Sequence, residues 1–159
     1  MKLAQLFGQG KTVFSCEVFP PKRDMPVDSI YTTLDGLKDI RPDFISVTFG
    51  AGGSKVNQTT HEIASIIENQ YHIPAMAHLT CVAADRSDVD QLLLQLKSDG
   101  VENILALRGD INPDIPPKTD FAHASDLVAY IRAHSDFGVS AACYPEGHLE
   151  SPDLVSDIR

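Results

Sequence analysis

The sequence has no tryptophan, only three cysteines, few basic residues and no long apolar run. Each scarcity excludes something. Thirteen Lys and Arg against twenty-two Asp and Glu give a formal charge of −9, which argues against a nucleic-acid or anionic-membrane surface. Cys16, Cys81 and Cys143 are odd in number, share no CxxC spacing and lie in or beside apolar runs. That fits reduced, mostly buried thiols in a cytoplasmic protein better than a disulfide framework or a zinc site. No HxH or HxxxH pairing is present, so no metal centre is expected. The N-terminal MKLAQLFGQGK is too short an apolar stretch for a signal peptide, and nothing approaches the length of a membrane span. A GxGxxG phosphate fingerprint is also missing after the first strand candidate, where Phe19-Pro20-Pro21-Lys22 stands instead.

What is present is a rhythm. Strands are predicted at Thr12–Val18, Phe44–Thr48, Pro74–Leu79, Asn103–Leu107 and Val139–Cys143. Between them fall helices at Asp28–Asp39 (capped by Asp28), Gln58–Asn69, Ser87–Ser98 (capped by Ser87) and about Asp126–His134 (capped by Ser125). A fifth helix begins after Pro152. The buried faces should hold Ile30, Leu34 and Leu37, then Ile63, Ile66 and Ile67, then Val89, Leu92, Leu93 and Leu96. Strand starts recur about every thirty residues, the signature of repeated βα units on a parallel sheet. Five units fit an open doubly wound sheet by length, since a complete (β/α)8 barrel needs roughly 250 residues. The missing fingerprint, and a last helix barely begun, favour an α/β chain forming an incomplete (β/α)8 TIM barrel of about five βα units. No composition break marks a second domain.

The carboxyl ends of the strands are where such folds meet ligands. Glu17 sits near the end of the first strand; burial there would disfavour its charged form and suit it to general-acid work. The alternative is that it pairs with a lysine or arginine across the barrel mouth. Thr48 precedes the glycine-rich Gly50-Ala51-Gly52-Gly53-Ser54, a flexible loop. His78-Leu79-Thr80-Cys81 ends the third strand, Arg108-Gly109-Asp110 the fourth, and Tyr144-Pro145-Glu146-Gly147-His148 follows the fifth. Arginine can grip an anion bidentately, glycine admits a ligand to the backbone, and the aspartate can set a negative charge beside a reacting ring. A surface turn with a local Arg–Asp pair explains those residues equally well when they are taken alone.

FSCEVFPPK, FISVTFGAGG, AHLTC, ILALRGD, ASDLV and AACYPEGH, in this order from Phe14 to His148, closely resemble the methylenetetrahydrofolate reductase family. The resemblance implies a flavin-binding (β/α)8 barrel that reduces 5,10-methylenetetrahydrofolate to 5-methyltetrahydrofolate for methionine synthesis. FAD is the implied cofactor, NADH or NADPH the reductant and a folate the small-molecule substrate, with neither nucleic acid nor membrane as partner. It implies Glu17 as general acid and Asp110 beside the flavin and the pterin. Thr48, His78, Arg108, Gly109, Asp110, His123, Ala124, Tyr144, His148 and Asp157 match positions that contact FAD in the family. His123 stands where relatives often carry tyrosine, and Leu149 replaces a frequent proline. The family barrel continues through three more strands, so residues 1–159 are expected to be the N-terminal part of a domain truncated at its C-terminus. The expectation extends to a homo-oligomer at full length and an inactive fragment.

Overall fold

The computed structural model describes residues 1–21, 29–49, 58–111, 113, 116–148 and 151–158, with the side chains of 58, 157 and 158 left aside. The predicted Asp28 cap and the Gly50–Ser54 loop therefore lie outside the described residues. A 3-10 turn, Leu3–Leu6, opens the chain. Five strands and five helices then alternate: β1 Ser15–Val18, α1 Ser29–Lys38, β2 Phe44–Val47, α2 Gln58–Asn69, β3 Ala75–Thr80, α3 Arg86–Ser98, β4 Asn103–Leu107, α4 Ala124–His134, β5 Gly138–Ala141 and α5 Leu154–Ile158.

All four strand pairings are parallel, and the spatial order is β1-β2-β3-β4-β5. A doubly wound sheet would reverse its order at a central switch point. This one never does. The architecture is a partial (β/α)8 barrel that is not closed, with β1 and β5 as its edges.

Period-2 alternation gives the sheet two faces. Ile45, Val47, Ala75, Ala77, Leu79, Ile104 and Ala106 meet the helices in the main core. Ile30 and Leu34 of α1, Ile63 and Ile67 of α2, and Val89, Leu92, Leu93 and Leu96 of α3 supply the other side, as their spacing requires. Leu37 and Ile66 pack at the margin. On the inner face, the face a closed barrel would enclose, Met76 is buried with Leu3 and Leu6, and Phe44, Leu105 and Val13 flank them. The 3-10 turn thus covers the inner face at the amino ends of the strands.

Asn103 fastens that cover. Its Oδ1 accepts from the Leu3 N–H at 2.8 Å, and its Nδ2 donates to the carbonyls of Met1 at 2.9 Å and Ala75 at 3.3 Å. Gly138, its partner in register, leaves the room: a Cβ there would meet Asn103 Oδ1 at 2.7 Å.

Two predicted caps move. Asp85, not Ser87, caps α3, accepting from the Asp88 N–H at 3.0 Å while Asp88 accepts from the Asp85 N–H at 3.0 Å. Helix α4 begins before Ser125, with His123 as the residue that precedes it. Asp126 accepts from the N–H groups of Ala122 and His123, both at 2.9 Å, and so supports that earlier start.

Candidate active site at the carboxyl ends of the strands

Glu17, Ser46 and His78 come from three successive strands and meet on the inner face. Glu17 and Ser46 are paired in register across β1 and β2. Ser46 Oγ donates to Glu17 Oε2 at 3.4 Å. His78 Nε2 lies 3.4 Å from the same oxygen, within ion-pair range but out of line for a hydrogen bond, so among the described residues this buried nitrogen has no hydrogen-bond partner. Burial holds the imidazole below its ordinary pKa, and the Glu17 carboxylate opposes that only in part. Glu17 corrects the expectation of a buried acid: on the edge strand β1 its side chain is 48% exposed. Among the described residues its ion-pair neighbour is His78, two strands away.

Beyond β4, the turn Arg108-Gly109-Asp110 is built against the end of β3. The Arg108 carbonyl accepts from the N–H groups of Cys81 at 3.2 Å and Val82 at 2.8 Å. Gly109 has φ +83°, and a Cβ on it would lie 2.9 Å from Thr80 Cβ. Glycine is therefore set here by the close approach of β3 as well as by the left-handed backbone. Arg108 is half-buried and near the Cys81 thiol, while Asp110 is exposed.

Thr48 follows β2, half-buried, its N–H donating to Val18 O at 3.0 Å and its carbonyl accepting from Thr60 Oγ1 at 3.0 Å. The His123 carbonyl accepts from Cys81 Sγ at 3.6 Å, which ties the start of α4 and Ala124 to the same turn. After β5, the Tyr144 and His148 rings meet edge to face at 5.0 Å. Asp157 belongs to α5, and its side chain lies outside the described residues. Because every strand runs the same way, all these positions follow the carboxyl end of one sheet. Among the described residues no hydrogen bond or ion pair joins Glu17 to Asp110.

The thiols divide three ways. Cys81 is buried, its pKa pushed up by burial, Cys16 is half-buried, and Cys143 is exposed, contrary to a mostly buried set. All three are free. The described residues contain no cluster of three or more metal-ligating side chains and no helix long and apolar enough to cross a membrane. Ser46 and Asn103 escaped the sequence reading. The signal for Ser46 was its place on the Glu17 face of the neighbouring strand; for Asn103 it was a polar residue opening an otherwise apolar strand.

The fold is a partial α/β barrel whose five parallel strands carry an acid, an imidazole, a guanidinium and aromatic groups at or beyond their carboxyl ends. A family model described as methylenetetrahydrofolate reductase matches residues 2–159, and the chain belongs to that family. It is 39% identical over 99% of its length to a probable methylenetetrahydrofolate reductase (NADH) of Oryza sativa subsp. japonica, of which it covers 27%. It is 35% identical over 98% of its length to the 5,10-methylenetetrahydrofolate reductase of Pectobacterium carotovorum subsp. carotovorum, of which it covers 51%. The Escherichia coli (strain K12) protein of the same name is 33% identical over 94% of the chain, which covers 50% of it. The chain thus spans about half the length of these bacterial relatives and about a quarter of the plant one.

Proposed function

We propose that the chain is the N-terminal portion of a flavin barrel that reduces 5,10-methylenetetrahydrofolate to 5-methyltetrahydrofolate. The observation that carries this reading is the Glu17 carboxyl held on the open inner face beside Ser46 and the buried His78. Chemically, the residues fit a flavin. His78 Nε2 is a buried nitrogen with no hydrogen-bond partner, suited to a polar ligand edge, and Arg108 suits a phosphate or ribose. FAD, when bound, supplies hydride transfer between a nicotinamide donor and the folate.

This chain's own residues do the rest. Glu17 delivers a proton to the folate and helps activate it. A carboxylate at Asp110 favours positive charge developing on the substrate and disfavours added negative charge on a neighbouring ring system. Thr48, His78, Arg108, Gly109, His123, Ala124, Tyr144, His148 and Asp157 form the proposed cofactor contacts. The rice relative's name specifies NADH, which makes NADH the first donor to test, with NADPH the alternative. A cytoplasmic enzyme with reduced thiols, working in methionine supply and assembling as a homo-oligomer at full length, completes the reading.

The test is the visible absorption spectrum of purified protein after incubation with FAD, followed by Glu17→Gln. The wild type should retain a yellow chromophore through gel filtration. In a protein that turns over, Glu17→Gln should spare flavin reduction by the nicotinamide donor and lower folate reduction by about 10²-fold or more. A colourless protein, or unimpaired folate reduction in the variant, would overturn the proposal.

A further inference from the structure

The two contacts on Glu17 end on one oxygen. Ser46 Oγ and His78 Nε2 each lie 3.4 Å from Oε2. Among the described residues no other hydrogen bond or ion pair to the carboxyl group is seen, and neither of these two involves Oε1. A half-exposed glutamate on an edge strand would otherwise turn freely among its rotamers. Ser46 is itself buried: it is 6% exposed, central in β2, and set opposite Glu17 by the parallel register. His78 is equally buried, at 6%.

We propose that Ser46 is a positioning residue: with His78 behind it, its hydroxyl fixes Glu17 through Oε2 and presents Oε1 to the substrate. A 3.4 Å O–H···O contact is long, but hydrogen bonds of this kind in ligand-free sites tighten when the reactants are bound. The role lies in one face of one carboxyl group. It rests on the reading of Glu17 as the proton donor, yet its geometry can be judged apart from that reading.

The deciding measurement is the set of three-bond couplings to the Glu17 side-chain methylene protons, taken on this protein and on its Ser46→Ala and Ser46→Thr variants. Wild type and Ser46→Thr should show one dominant rotamer, and Ser46→Ala should show averaging. Averaged couplings already in the wild type, or couplings unmoved in Ser46→Ala, overturn the positioning role whatever the enzyme does. The kinetic counterpart is about a tenfold lower folate turnover in Ser46→Ala, with unchanged KM and recovery in Ser46→Thr. A loss that Ser46→Thr fails to recover counts against the hydroxyl. If Glu17→Gln proves harmless to folate reduction, the functional reading falls, while the couplings still decide whether Ser46 holds Glu17.

Discussion

The two ends of the inner face are made of the same strands and could hardly be more different. At the amino end, Met76, Leu3 and Leu6 close an apolar layer, and the one buried polar side chain among them, Asn103, has both its oxygen and its nitrogen bonded. At the carboxyl end, Glu17 stands half-exposed and His78 keeps a buried nitrogen without a hydrogen-bond partner among the described residues. Satisfied polar groups are what stability selects; unsatisfied ones in a concave place are what a ligand requires. One end holds the sheet, and the other carries the proposed chemistry. That contrast can be broken from either side.

The largest effect should come from the amino end. Asn103→Ala removes the acceptor from the buried Leu3 N–H and a donor from the Met1 and Ala75 carbonyls. The expected loss is about 2–4 kcal/mol, read from urea or thermal unfolding. Bound flavin per folded molecule should be unchanged, and a selective loss of flavin with full stability would erase the distinction between the ends.

Next in size is Gly109→Ala, which attacks the carboxyl end through its backbone. The new Cβ meets Thr80 Cβ, an atom one bond from the main chain, at 2.9 Å, and the φ of +83° is strained for alanine. A cost of about 1–3 kcal/mol is expected, with displacement of the Arg108 and Asp110 groups. FAD affinity should fall more than unfolding stability does. Equal stability and equal affinity would show that the turn tolerates what its geometry forbids.

A smaller, pH-dependent effect belongs to His78. Its folded-state pKa is lowered, chiefly by burial, so below the ordinary value of about 6.5 the unfolded chain binds a proton that the folded one resists. Stability from this residue is therefore intact above that value and declines as pH falls through it, until the folded form titrates as well. His78→Gln should flatten the acid side of the stability curve below about pH 6.5 and leave neutral pH nearly unchanged. An identical slope in both proteins would mean the imidazole is protonated as easily folded as unfolded.

How much of this contrast was readable in the sequence follows from the range of the forces involved. Helical faces were legible because Val89, Leu92, Leu93 and Leu96 repeat with the helix, and all four are buried. Strand order followed from the regular βα rhythm. The limits of β4, Asn103–Leu107, followed as well, but those of β1 and β5 did not, because pairing rather than propensity ends a strand. Thr12–Phe14 are β-formers, yet Phe14 exchanges its hydrogen bonds with Asp43, and β1 starts only at Ser15. Likewise β5 stops at Ala141, where its register with Ala106 of β4 ends, two residues short of Cys143. Glu17 was recognisable by position, but its exposure was not, since exposure depends on an open edge two strands from His78. Asn103 was the least legible of all. Its partners lie a hundred residues away or across a strand, and no local pattern encodes such a reach.

The smallest expected effect lies where the carboxyl end borrows from solvent-exposed charge. Lys118 Nζ stands 2.6 Å from Asp85 Oδ2 and 3.5 Å from Asp88 Oδ2, lacing the segment after Asp110 to the start of α3. The lysine's pKa is raised and the aspartate's lowered, each chiefly by the hydrogen bond between them. Lys118 is exposed and both aspartates are partly so, and water and salt therefore screen the pair and its contribution is modest. The backbone tether is independent of the side chain: the Lys118 N–H donates to Val82 O at 2.9 Å, and Asp120 accepts from the Arg86 N–H at 2.9 Å. Lys118→Met keeps both bonds and removes only the charge. A slightly lower Tm at low ionic strength is expected, and the difference should vanish near 1 M salt, where the screening length is about 3 Å. A large loss that persists in salt would mean that the lysine stem, not its charge, holds the segment, and that the carboxyl end is fastened by packing much as the amino end is.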